Sequence, residues 1–201
     1  MGMMINRRRV CGGGKKLPYD AEIEYLESTN ERNVRQWINT GFIVKSQYVV
    51  ECRVLLKSVS ESGMIFCAGW DIDPSRYALN KITFYYYGNK HSYLTPKFEY
   101  NTIYDIQFGN NTIKWNNNSF NIRYTGDTFT SVEPLALLGT FMGSYLTLGR
   151  YYFLKLKDEN GQLILDLIPV RVGTTGYLYD KVSGQLFGNA GTGEFILGPD
   201  K

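Results

Sequence analysis

Polar and apolar positions alternate along much of the chain. From Tyr48 to Lys57, Val50, Cys52, Val54 and Leu56 fall on one face and Glu51, Arg53 and Lys57 on the other. That period of two is the mark of a half-buried strand. Met64 to Trp70 and Ile82 to Tyr87 read as further strands. A meander follows: Tyr104-Phe108, a turn at Gly109-Asn110-Asn111, Ile113-Trp115, a turn at Asn116-Asn117-Asn118, and Phe120-Tyr124. Gly and Asn tolerate the positive φ that tight hairpin turns require. Leu135 to Leu138 is short and apolar, and Tyr145 to Lys157 is long. Asp158-Glu159-Asn160-Gly161 turns that strand back into Gln162 to Val172, with the Asn-Gly pair as the strongest hairpin signal in the chain. On the return strand Leu163, Leu165 and Leu167 share one face while Ile164 and Ile168 share the other. Apolar residues on both faces predict a central strand.

About a dozen short strands with almost no helical pattern predict an all-β fold, a two-sheet antiparallel β-sandwich. A closed barrel is the competitor at this length. One helical turn is expected around Asn30 to Arg35, where the sequence is polar and unpatterned. Residues 1–16 read as an extended, basic, Gly-rich N-terminal arm, and residues 17–201 as one domain without a linker or repeat.

Composition agrees with this and narrows the function. Of 201 residues, 15% are aromatic and 21 are Gly, a balance that suits strands and turns. The net charge of +3 is uneven, because Arg7, Arg8, Arg9, Lys15 and Lys16 put five cations in the arm and leave the rest slightly acidic. A broad basic face for nucleic acid is therefore not expected on the domain. The arm itself has three readings: a contact to nucleic acid or membrane, a solubilising tail, or a segment that orders on a neighbouring subunit. No run approaches the roughly 18 apolar residues of a membrane span. The arm's cations lead into no apolar stretch, so an export signal is not expected. Cys11, Cys52 and Cys67 read as one tail thiol and two buried reduced thiols, with a Cys52–Cys67 bridge as the alternative. With His91 as the only histidine and no CxxC, no metal site or cofactor is expected.

Candidate chemistry is sparse. Glu22, Glu24 and Glu27 lie at i, i+2 and i+5, resembling the carboxylate pattern of a jelly-roll glycosidase family, in which alternate strand positions put nucleophile and acid on one face. The middle position is Glu where that family has Asp, and an ordinary solvated strand face is the favoured reading. No enzymatic activity is expected. Sugar binding fits better, through aromatic faces with nearby Asn or Asp. Trp70 with Asp71, Tyr85-Tyr86-Tyr87 and Trp115 beside three Asn are the candidates, each with core packing as its alternative. Asp71 and Asp73 could join a Ca²⁺ site, but Pro74 points to a plain turn. Gly188-Asn189-Ala190-Gly191-Thr192-Gly193 lacks the Lys-Ser/Thr ending of a phosphate loop and reads as a turn. Asn110-Asn111-Thr112 and Asn117-Asn118-Ser119 match the glycosylation pattern and also read as turns.

Several strings occur together: Leu17-Pro18-Tyr19-Asp20-Ala21-Glu22, Trp37-Ile38-Asn39-Thr40-Gly41, Gly149-Arg150-Tyr151-Tyr152-Phe153-Leu154-Lys155, Asp166-Leu167-Ile168-Pro169-Val170-Arg171, Tyr179-Asp180-Lys181-Val182-Ser183-Gly184 and Phe187-Gly188-Asn189-Ala190-Gly191-Thr192-Gly193. Over residues 17–201 they resemble the LamG-like, concanavalin A-like jelly-roll domain of gut Bacteroidales proteins and of the crAss-like phages that infect them. The resemblance implies a jelly roll with no catalytic residues to carry over. It also implies a bacteriophage virion component, such as a capsid decoration, head fibre or tail protein, assembled in the bacterial cytoplasm. Residues 1–16 would then hold it to other virion proteins in a large assembly or homo-oligomer. The alternative is an adhesion module that binds host surface polysaccharide through Trp70, Asp71 or Trp115.

Overall fold

The computed structural model describes residues 17–29, 34–59, 63–69, 77–80, 83–86, 91–93, 98–121 and 128–201. The arm and its Arg7, Arg8, Arg9, Lys15 and Lys16, most of the expected helical turn, and Trp70 with Asp71 and Asp73 lie outside them. The strands are β1 (Ala21–Glu22), β2 (Leu26–Glu27), β3 (Ile38–Lys45), β4 (Val49–Val59), β5 (Met64–Ala68), β6 (Tyr77–Asn80), β7 (Thr83–Tyr86), β8 (His91–Tyr93), β9 (Ile103–Gly109), β10 (Thr112–Trp115), β11 (Asn118–Asn121), β12 (Thr130–Leu137), β13 (Thr147–Lys157), β14 (Leu163–Val172), β15 (Thr175–Asp180), β16 (Leu186–Phe187) and β17 (Ile196–Leu197).

They form two antiparallel sheets. The larger runs β11-β10-β9-β4-β13-β14-β15-β16, and the smaller runs β3-β12-β5-β6-β7-β8. The two pack face to face as a sandwich, which resolves the choice against a closed barrel. Val50, Cys52, Val54, Leu56, Tyr104, Ile106 and Phe108 of the larger sheet meet Ile65, Phe66, Leu135 and Leu137 of the smaller in one core. Phe66 and Phe108 meet edge to face across the layers at 5.4 Å. Tyr151 spans the same gap, and its hydroxyl donates to the Ile65 carbonyl at 2.5 Å. That bond satisfies the one polar atom of a ring otherwise buried in apolar surroundings.

The first turn of the meander is as its pattern predicts, and the last strand starts earlier than expected, at Asn118, with residues 122–124 of the expected strand outside the described residues. Asn110 and Asn111 both take positive φ, 48° and 57°, between the paired residues Gly109 and Thr112. Two successive left-handed residues match the twist of the strands they join. The Asn160-Gly161 hairpin also forms, with a wider loop. Lys157 pairs with Leu163, and the Asp158 carboxylate accepts the amides of Asn160 and Gln162 at 2.9 and 2.7 Å. An acceptor at the first turn position stabilises this larger loop over a two-residue one. β14 lies between β13 and β15, the central place that its two apolar faces require.

The short segments β1 and β2 enter the larger sheet where β13 and β14 part. β13 pairs β14 through Leu154–Lys157 and β2 through Arg150–Tyr151, while β1 pairs the far end of β14. β17 then pairs β2. Arg171 grips Asp200 with two nitrogens at 2.7 and 2.6 Å. The long strand expected from Tyr145 begins only at Thr147. Residues 138–146 form a compact loop instead, braced by the buried Thr140, which exchanges hydrogen bonds with Ser144.

Candidate functional site

β13 carries the irregularity that builds the site. Tyr151 pairs with Val54 and Phe153 with Arg53, so two steps on β13 oppose one step on β4. This β-bulge breaks the alternation that the sequence implies. Tyr151 and Leu154 both reach the core. The two residues between them, Tyr152 and Phe153, both turn to the outer face of the larger sheet. Phe153 lies beside the Arg53 guanidinium at 5.9 Å and the Lys155 ammonium at 6.0 Å. Tyr152 meets Tyr25 edge to face at 5.6 Å.

Below Phe153 a shallow groove of about 310 Å³ crosses the strands, lined by Glu51, Cys52, Asp105, Ile106, Gln107, Lys114 and Phe153. Its polar walls follow from register. Lys114 opposes Gln107, Gln107 opposes Glu51, Glu51 opposes Lys155, and Lys155 opposes Asp166. One ladder row therefore runs across five strands. The next row sets Asp105 against Arg53 and Arg53 against Phe153. Arg53 holds Asp105 through two nitrogens at 2.7 and 2.8 Å. Lys157 holds Glu51 at 2.8 Å, and Gln107 donates to the same carboxylate oxygen at 3.3 Å. The groove thus offers one aromatic face and several prearranged polar groups, the combination that holds a sugar ring by its C–H surface and its hydroxyls. Burial pushes the Cys52 thiol well up from its ordinary value, so it underlies the groove as an apolar group and not as a nucleophile.

Beside the groove, Glu27 lies 5% exposed on β2. It pairs with Lys57 and with Arg150, the latter at 2.5 Å. Arg150 also stacks on the Tyr25 ring at 4.0 Å. Burial pushes the Glu27 carboxyl up, but the hydrogen bonds from Lys57 and Arg150 outweigh it and hold the group below the usual carboxylate range. Glu22 on β1 accepts a 3.3 Å bond from the Tyr19 hydroxyl, and Glu24 is exposed. The three carboxylates therefore sit in unlike settings. Glu27 is an ionised structural anchor, whereas a glycosidase acid needs a raised pKa.

Trp115 is corrected as a sugar contact. It is 1% exposed and packs edge to face on Phe98 at 5.7 Å, in the core of the sandwich. Its place on β10 follows the same alternation that turns Lys114 outward. The glycine-rich string 188–193 is a clasp. Asn189 Oδ1 accepts the Trp37 amide at 3.2 Å and the Gly191 amide at 3.0 Å, and the Thr192 amide donates to the Arg35 carbonyl at 2.7 Å. Cys52 and Cys67 are buried thiols outside any disulfide, and the Cys67 thiol donates to the Gly69 carbonyl at 3.1 Å. Among the described residues no group of three or more His, Cys, Asp or Glu side chains comes together to hold a metal ion. Tyr152, Phe153, Gln107 and Lys114 were not singled out by the sequence reading. The Tyr151-Tyr152-Phe153 run carries no local signal for this, because strict alternation accommodates three successive aromatics without a bulge.

A scan against protein-family models finds no match, and a search of curated proteins finds none. Among solved structures, the chain is similar to a protein of Bacteroides ovatus ATCC 8483 described as a candidate carbohydrate-binding protein, with a TM-score of 0.53 and 11% identity. The match covers 88% of this chain and 60% of that one, so the chain spans less than two thirds of its neighbour's length. At that identity the likeness concerns the fold.

Proposed function

We propose that this protein is a carbohydrate-binding β-sandwich that binds without turnover, and that the groove under Phe153 takes the sugar. The observation that carries this reading is the β13 bulge, which brings Tyr152 and Phe153 to the same face above a polar-walled groove. The fold it shares with a protein described as a candidate carbohydrate binder supports the same reading. Saccharide binding by the full chain, measured on a glycan panel and then by calorimetry, tests it. Phe153→Ala is expected to weaken binding roughly 10-fold, the scale of one lost aromatic contact. Trp70→Ala is the parallel variant: loss of binding there, with Phe153→Ala unaffected, would move the site to the segment around Trp70 and Asp71.

A second reading concerns where the domain is displayed. The resemblance of residues 17–201 to phage and Bacteroidales jelly rolls, with five cations in the first 16 residues, favours a virion component whose arm holds it to other virion proteins. Whether the chain remains with purified particles decides between this and a free binding module.

A further inference from the structure

The charges on the groove face do not balance, and the imbalance is localised. Outward positions of β2, β4, β9, β10, β13 and β14 carry Arg53, Lys57, Lys114, Arg150, Lys155 and Lys157 against Glu27, Glu51, Asp105 and Asp166. Arg53 is taken by Asp105, Lys157 by Glu51, and both Lys57 and Arg150 by Glu27. Among the described residues, Lys114 and Lys155 form no ion pair. Lys155 opposes both Glu51 and Asp166 in register, but its ammonium lies by the Phe153 ring. The two carboxylates nearest the groove, Glu51 and Asp105, are already neutralised by cations on neighbouring strands. They repel an approaching anion weakly.

Lys114 and Lys155 lie on one ladder row, with Gln107 and Glu51 between them and Asp166 beyond Lys155. Three strand spacings separate them, about 14 Å. Phe153, one row away and two residues from Lys155 on β13, presents an aromatic face at the Lys155 end of this line, with the Lys155 ammonium 6.0 Å from its ring. A chain of sugar rings lying across the strands would meet an aromatic face and a cation at its β13 end and a second cation at β10. Neutral saccharides can accept only ordinary hydrogen bonds from that pair of ammonium groups. Carboxylate or sulfate groups along the chain would each gain a charge-assisted hydrogen bond.

Building on the saccharide reading above, we propose that the ligand is an anionic oligosaccharide, bound across the strands with its acidic groups at Lys114 and Lys155 and a sugar ring on Phe153. The test uses the full chain and four probes: oligogalacturonate, a chondroitin sulfate oligosaccharide, a neutral maltooligosaccharide of matched length, and polyglutamate. Binding is measured by calorimetry at low and at 0.5 M salt. Either acidic saccharide is expected to bind more tightly than the neutral one, and the pair of arms tells carboxylate from sulfate. Lys114→Ala and Lys155→Ala are each expected to weaken that binding about 5- to 10-fold, and high salt to reduce it further. Both lysines lie on the surface, and circular dichroism of each variant checks that the fold is kept. Neutral saccharide bound as tightly as acidic, or lysine variants without effect, would overturn this inference and leave the saccharide reading standing. Equal binding of polyglutamate would also overturn it, by reducing the groove to bulk charge. No binding of any saccharide on the wider panel would bring down the saccharide reading itself.

Discussion

Glu27 keeps its charge between two cations and at the edge of an aromatic pair, although 5% of it reaches solvent. Its carboxyl is held below the usual range, so the sign of its pH dependence is fixed. Unfolded, a Glu titrates near about 4.3. The stability it contributes is complete above that value and is lost as pH falls through the lower folded value. Glu27→Gln is expected to cost about 2 kcal/mol at pH 7, below the roughly 3–5 kcal/mol of a fully buried broken pair because Lys57 keeps 38% exposure. Urea unfolding of parent and variant at pH 7 and pH 3 checks this, and the gap should narrow at pH 3. An equal gap at both would mean that lost packing, and not the charge pair, is the cause. Spacing in the sequence sets Glu22, Glu24 and Glu27 alike on a solvated strand face, which the buried Glu27 does not obey. What separates them is that β2 pairs Glu27 with Arg150 on β13, a contact between residues 123 positions apart.

β13 shows what a single element can and cannot declare. Its length and the Asn-Gly turn that follows it are readable from the pattern. Its bulge is not, because a bulge is a mismatch between two strands and needs the partner to be seen. Gly149 has a similar origin. A Cβ there would lie 2.4 Å from the Leu55 backbone oxygen on β4, so this strand glycine marks a close approach of two backbones. Gly149→Ala is expected to force the strands apart and cost about 2–3 kcal/mol, or roughly 4–12 °C in Tm. Thermal unfolding followed at 218 nm (roughly the strand band) would read it, and an unchanged Tm would show that β4 gives way freely. β3 was missed for a related reason. Ile38 to Lys45 contains Gly41 at φ 71°, and Ile43 is 42% exposed. Its pairing with β12 shifts register twice, which erases the clean alternation.

At the scale of the whole molecule, the groove and the terminal segments occupy the same sheet. β1, β2 and β17 fill the gap between β13 and β14, and they bring Tyr25 and Glu27 against Arg150 beside the bulge. If the domain is a virion component, salt-washed particles are expected to retain the chain in stoichiometric amount by mass spectrometry. Loss into the wash would leave a free binding module. Deleting residues 1–16 should abolish that retention if the arm is the anchor.

The sequence by itself determined the fold class, the central place of β14, the Asn turns of the meander and the inward residues of β4. These rest on local rules, namely alternation and the φ tolerance of Gly and Asn, which a chain carries wherever it folds. Only the tertiary structure decided that Trp115 belongs to the core, that Tyr152 and Phe153 share the outer face, and that Glu27 is an ion-pair anchor. It alone decided that Lys114 and Lys155 flank one groove. Each of these depends on which strand lies beside which and in what register. Register is set by the packing of both sheets together, so no single stretch of sequence contains it.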